Sequence, residues 1–197
     1  MSTIAGIYHK KGKSASRGEL SNMLDKLHHW NAERRDEFTE GPAGMGQLML
    51  YNTPESRHEA LPYKDSNSGL VITADVRIDN RDQLFELLNL QAGEDTITDS
   101  YLVLEAYKKY GSHCTDHLVG AFAFAIYDPT HQTLFCARDH MGFKPFFYYN
   151  TEDIFVFSTE IKGIKAHSEF KPTISELFIA DALSTLRSEK NQTLYKE

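Results

Sequence analysis

The sequence predicts an α+β fold, mostly antiparallel sheet with helices packed on its outside. Short apolar or alternating segments that read as strands dominate the chain. Pairs of them are joined by turn chemistry as hairpins, and few helical patterns fall between them.

Residues 3–8 and 44–51 are short apolar segments, and 70–78 reads L-V-I-T-A-D-V-R-I, alternating in its second half. Residues 121–127 place aromatics between alanines. Asp128-Pro129-Thr130-His131 then turns the chain into a return strand at 133–137. Residues 146–149 and 154–157 flank 150–153 as a second hairpin. Four helices complete the pattern. Leu20, Met23, Leu24, Leu27 and Trp30 share one stripe, with Ser16 and Glu19 at capping-box spacing. Asn80 and Gln83 repeat that spacing before Leu84, Leu87 and Leu88. Asp99 suits the N-cap of a helix carrying Leu102, Leu104 and Tyr107 that stops near Gly111. Thr173 and Glu176 open a last helix bearing Leu177, Phe178, Ala182, Leu183 and Leu186. Asn191 to Glu197 carry no terminator, so an inter-domain segment is expected there.

Twenty-one Lys and Arg against 28 Asp and Glu give a net charge of -7, which argues against nucleic-acid or anionic-membrane binding. Two cysteines, Cys114 and Cys136, are too few for a disulfide scaffold or a four-Cys zinc site. The longest apolar run, 118–127, is too short to span a bilayer. The amino terminus lacks the basic-then-apolar pattern of a signal peptide, so a cytoplasmic protein is expected.

Several strings then resemble one family. They are Ile4-Ala5-Gly6-Ile7, Leu118-Val119-Gly120-Ala121-Phe122-Ala123-Phe124-Ala125-Ile126-Tyr127-Asp128, Ala137-Arg138-Asp139-His140-Met141-Gly142-Phe143-Lys144-Pro145 and Ser158-Thr159-Glu160-Ile161-Lys162. In order and spacing they resemble the amino-terminal glutaminase domain of asparagine-synthetase-type class II glutamine amidotransferases. The resemblance implies a four-layer αββα sandwich of two antiparallel sheets, of the Ntn-hydrolase type. It assigns residues 1–170 to the amidotransferase-like domain and 171–197 to a helix and the start of a linker. In the family, a synthetase domain that uses Mg-ATP follows, with a Ser-Gly-Gly-x-Asp-Ser loop that this chain lacks. No cofactor is expected in the chain itself, and its expected partner is that synthetase domain.

The family hydrolyses glutamine with an amino-terminal Cys whose own α-amine is the base. Here the matching position is Ser2, a weaker nucleophile. The family's carboxylate-binding Arg has no counterpart in 46–50. Its Asn-Gly oxyanion pair aligns with Asp75-Val76, and a carboxylate repels a forming oxyanion. Asp99 matches the family's acceptor for the glutamine α-ammonium, although the helix cap is the favoured explanation of it. These departures imply a pseudo-glutaminase. The opening Met-Ser-x-Ile-Ala-Gly-Ile-Tyr, Thr53-Pro54-Glu55-Ser56 and 72–80 are similar to the asparagine-synthetase-like macrolactam cyclases of lasso-peptide pathways, which implies a peptide substrate. Two alternatives stay open: a glutamine-hydrolysing asparagine synthetase, and a Ser-type amino-terminal hydrolase acting once Met1 is removed.

Other residues read as structural. Arg138 and Asp139 before Gly142 suggest a buried ion pair locking a corner, which Lys144-Pro145 continues. His113 and His117 beside Cys114 read as solvated polar residues, not a metal site, and His28-His29 likewise. Phe147, Tyr148 and Tyr149 read as sheet packing. Met45 and Met49 fill core or line a greasier pocket. The charged stretch 33–40 reads as a solvated loop.

Overall fold

The computed structural model describes residues 2–51, 53–90, 96–184 and 193–196. Two compact units divide the chain at residue 168. The first, Met1–His167, begins with β1 (Thr3–His9), α1 (Arg17–Asp25), β2 (Arg34–Glu40) and β3 (Ala43–Met49). After β4 (Tyr63–Lys64) and β5 (Val71–Ile78) come α2 (Arg81–Leu88) and α3 (Asp99–Tyr110). The hairpin β6 (Gly120–Asp128) and β7 (Thr133–Arg138) is followed by the hairpin β8 (Phe147–Asn150) and β9 (Ile154–Ser158), then α4 (Ile161–Lys165). In the second unit, α5 (Glu176–Ser184) is accompanied by an Ile174–Tyr195 bridge.

The strands form a five-stranded sheet in order β2-β3-β1-β9-β8 and a four-stranded sheet in order β4-β5-β6-β7. Every pairing between them is antiparallel. The two sheets pack face to face over Ile4, Met45, Val71, Ala123, Ala125, Tyr127 and Phe157. Leu84, Phe85, Leu102 and Val103 of α2 and α3 bury against Ile72, Phe124 and Ile126 on the outer face of the smaller sheet. Leu20, Met23 and Leu24 of α1 cover the outer face of the larger one. Close approach there requires glycine: a Cβ on Gly46 would stand 2.6 Å from Leu24 Cδ1. The layers are thus αββα.

Four local expectations are corrected. Residues 33–40 are not a loop, because Arg34–Glu40 pairs along β3 as an edge strand. Its charges pair laterally, Arg35 with Glu37 at 2.7 Å and Arg17 with Glu37 at 3.4 Å, which protects an edge from intermolecular pairing. The α3 cap is Thr98, whose hydroxyl accepts the Tyr101 N–H, and Asp99 is the first helical residue. The first helix ends at Asp25, and Trp30 lies in a separate 3₁₀ turn, His28–Trp30. At α5 the Phe178 N–H bonds to Ser175 Oγ, two residues inside the expected Thr173 start. Leu186, Asn191 and Met1 lie outside the described residues.

Candidate functional site

Ser2 sits at the entry to β1, where the Thr3–Leu48 pairing brings it against the end of β3. Its hydroxyl accepts the Leu50 N–H at 3.1 Å and donates toward Met49 Sδ at 3.0 Å or the Leu50 carbonyl at 3.4 Å. On the facing sheet, β5 presents Asp75. The Ser2 N–H donates to Asp75 Oδ1 at 3.3 Å. A buried relay holds β5 over β3 at this point. Gln47 Nε2 donates to the Ala74 carbonyl at 2.9 Å, and Thr73 Oγ1 donates to Gln47 Oε1 at 2.7 Å.

Lys144 completes the cluster, with Nζ 2.8 Å from Asp75 Oδ1 and side-chain exposures of 13% and 7%. Its placement follows from the turn after β7. Asp139 is buried and accepts the Phe143 N–H at 2.9 Å and the Lys144 N–H at 3.0 Å. The Phe122 N–H also reaches it, at 3.3 Å. Gly142 supplies the φ of +69° that lets the chain fold back around this carboxylate. Burial alone would raise the Asp139 pKa, but the Lys144, Phe143 and Phe122 amides hold it below the usual carboxylate range. The expected Arg138–Asp139 ion pair is therefore corrected. Asp139 satisfies backbone amides, while Arg138 is exposed at the strand end.

Asp75 is the strained member. Burial pushes its pKa above the ordinary value, against the opposing Lys144 ammonium and Ser2 N–H. Its Oδ2 is buried without a hydrogen-bond partner among the described residues. These groups line a cleft of about 240 Å³ together with Met49, Val76 and Glu59. Glu59 is 6% exposed and closes the far wall, accepting from Ser100 N–H at 3.2 Å and Ser100 Oγ at 2.7 Å. Burial pushes its pKa up, only partly offset by the Ser100 donors.

Of the residues the sequence singles out, Ser2, Asp75 and Val76 converge on the cleft. Asp99 does not line it. Its carboxylate accepts the Ile78 N–H at 2.9 Å and is ion-paired with Arg81, tying α3 to the end of β5. Val76 brings no side-chain donor. Lys144 and Glu59 were not legible as cleft residues, since nothing in local periodicity aims a turn lysine across the sheet. Met49 both fills core and touches the Ser2 hydroxyl, whereas Met45 is core alone. Among the described residues no group of His, Cys, Asp and Glu could hold a metal ion.

The entire chain, residues 1–197, matches the glutamine amidotransferase domain family. This chain belongs to that family. A putative glutamine-hydrolysing asparagine synthetase 2 of Methanocaldococcus jannaschii is 36% identical over 177 residues, 80% of this chain and 34% of that protein. Asparagine synthetase 3 of Bacillus subtilis is 39% identical over 84 residues, 43% of this chain and 14% of that protein. The chain thus matches about a third or less of the length of these relatives. Among solved structures, a glutamine phosphoribosylpyrophosphate amidotransferase from B. subtilis superposes with a TM-score of 0.66 at 16% identity, over 88% of this chain and 45% of that one. That likeness establishes the Ntn-type amidotransferase fold. No helix among the described residues is long and apolar enough to cross a membrane.

Proposed function

We propose that this amidotransferase domain has lost glutamine hydrolysis and serves as a structural module of an ATP-dependent, asparagine-synthetase-like enzyme that forms amide bonds. One observation carries the reading: the Ser2 N–H and Lys144 Nζ both converge on the Asp75 carboxylate at the centre of the cleft. With Met1 in place, the Ser2 nitrogen is an amide with no basic lone pair. With Met1 removed, the carboxylate beside it favours the ammonium form. Either way the Ser2 nitrogen is not the free amine that would activate the hydroxyl, and a hydroxyl needs such a base more than a thiol does. A carboxylate also occupies the place where donors to an oxyanion belong. Losing one such donor costs about 3 kcal/mol of transition-state stabilisation, before any repulsion.

The parent enzyme in this reading is a macrolactam cyclase of the lasso-peptide type. A separate synthetase domain would hold Mg-ATP and adenylate a carboxylate of the peptide substrate, and an amine of the same peptide would attack it. Glutamine has no part in that scheme, and the protein would work in the cytoplasm. The test is ammonia release from glutamine by the purified chain with Met1 removed, confirmed by intact mass. No release above a heat-killed control is expected, and sustained turnover would refute the proposal. A second reading is favoured by the names of the similar relatives, which are glutamine-hydrolysing asparagine synthetases. It requires asparagine formation from glutamine, aspartate and ATP by a longer protein carrying this domain.

A further inference from the structure

The two sheets are unequal, and the inequality leaves a vacancy at one edge. Lys64 of β4 pairs with Glu40 of β2 and stands over the Phe38 ring, so β4 lies opposite β2. The Gln47–Thr73 relay sets β5 opposite β3. Leu134 and Cys136 of β7 pack into the same inter-sheet cluster as Phe155 and Phe157 of β9. Four strands are used up at that point, and β8 overhangs.

The inward face of the overhang is aromatic. Phe146 stacks on Phe157 at 5.2 Å, and Tyr148, 60% exposed, stacks on Phe155 at 5.6 Å. Beside this shelf runs the free edge of β7. The Asp139 N–H donates to the Phe122 carbonyl, so by alternation the N–H groups of residues 133, 135 and 137 also face β6. Those of Leu134, Cys136 and Arg138 face outward, and they have no partner among the described residues. Arg138 lies opposite Ala123, whose side chain is in the inter-sheet layer, so its side chain leaves the strand on the shelf side, with the guanidinium beside Gly142 of the following turn. No ion pair engages it among the described residues.

We propose that the β7 edge and the Phe146–Tyr148–Phe155 shelf receive one extended peptide segment, added as a fifth strand to the smaller sheet. The segment would alternate apolar side chains over the shelf and carry a carboxylate, of a side chain or a chain terminus, against Arg138. Main-chain bonds to residues 134, 136 and 138 give affinity, and the shelf and Arg138 give selectivity. A second copy of this chain does not fit. Pairing β7 with its own symmetry mate leaves one strand spacing, about 4.8 Å, between the two edges. In the layer of the larger sheet, each copy's overhanging β8 would then fall where the other copy's β9 lies. The slot is one strand wide, and its occupant is a single segment. The proposal is independent of whether glutamine is hydrolysed.

The probe is a fluorescein-labelled heptapeptide alternating Val and Thr and ending in Asp, with a matched peptide ending in Lys-amide. Binding is read by anisotropy on the full 197-residue chain, and the site by amide hydrogen exchange. The acidic peptide should bind, slow exchange at residues 134, 136 and 138, and lose affinity when its alternate amides are N-methylated. Tyr148→Ser, at an exposed position that leaves the fold intact, should weaken binding about tenfold, roughly 1.4 kcal/mol. Arg138→Glu should reverse the preference between the two peptides. No binding of either peptide overturns the proposal, as does binding without protection at β7 or a preference unchanged by Arg138→Glu. Edge-to-edge dimers that exclude the peptide would likewise replace this occupant with a second copy.

Discussion

Replacing Lys144 by Met tests the cluster on which the functional reading rests. Met keeps most of the aliphatic stem and removes the ammonium, leaving the Asp75 carboxylate, 7% exposed, with the Ser2 N–H and one unpartnered oxygen. Removing one partner of a buried pair costs about 3–5 kcal/mol, because the remaining charge is uncompensated. For a domain of this size that lowers the melting temperature by roughly 6–20 °C. Lys144→Met with Asp75→Asn removes the charge as well and should recover most of the loss. Urea denaturation of the four members of the cycle, followed by circular dichroism, gives the coupling energy directly. Asp75 also sets the pH dependence. Its folded pKa is raised above the reference 3.8, so the stability linked to its protonated form is full below 3.8 and is lost as pH rises through the folded value. Without Lys144 the folded value rises further, so the deficit of Lys144→Met should shrink as pH falls toward 3.8 and widen above it. A coupling energy below about 1 kcal/mol, the level of an exposed pair, or a deficit that grows in acid would refute the reasoning.

Glu59→Gln should flatten the pH dependence of stability. Glu59 has a folded pKa above its reference 4.5, so its contribution fades as pH rises through the folded value, and the variant should gain relative to wild type over that interval in urea titrations. Asp139→Ala strips the acceptor from the Phe143 and Lys144 amides; a loss of about 1–3 kcal/mol is expected, with faster amide exchange through residues 142–144. Gly120→Ala should prevent stable folding or cost several kcal/mol, since φ is +150° and a Cβ would stand 2.1 Å from the Arg77 carbonyl oxygen. Thermal melting checks it. On the proposed reading, Ser2→Cys with Met1 removed should give no glutamine-dependent ammonia release, because the Asp75 carboxylate still faces position 2.

The strands were legible because apolar periodicity survives in single segments, residues 121–127 and 70–78 being strands close to where their patterns end, whereas the four-layer stacking came from the family resemblance. The stretch 34–40 was not. An edge strand with one apolar side chain, Phe38, and lateral ion pairs has the composition of a loop, and only its pairing with β3 reveals it. Ser2 and Asp75 were found by resemblance, position by position. Their meeting was not readable, since it depends on how two sheets stack and on the Gln47–Thr73 relay between them. Lys144 was hidden for a related reason. Its target lies 69 residues away on a strand that the turn overhangs, and what aims it is Asp139, whose role in the sequence resembled an ion pair with Arg138.

On the proposed reading, the departures in the cleft depend on one another, and that dependence argues against a site from which a single residue has lapsed. A buried Asp75 needs a cation nearby, and Lys144 supplies one at 2.8 Å. Once that pair exists, a thiol at position 2 would sit beside a carboxylate that raises its pKa and reduces its thiolate, so the nucleophile loses its advantage over a hydroxyl. The Ser2 hydroxyl in turn satisfies the Leu50 N–H and spends its own proton on Met49 or the Leu50 carbonyl, a packing role that a larger, weakly bonding sulfur fills poorly. Each change makes the next less costly and its reversal more so. On that reading, glutamine hydrolysis would take the nucleophile, the oxyanion donors and the removal of the Lys144 cross-link together, whereas stability is served by keeping all three as they stand.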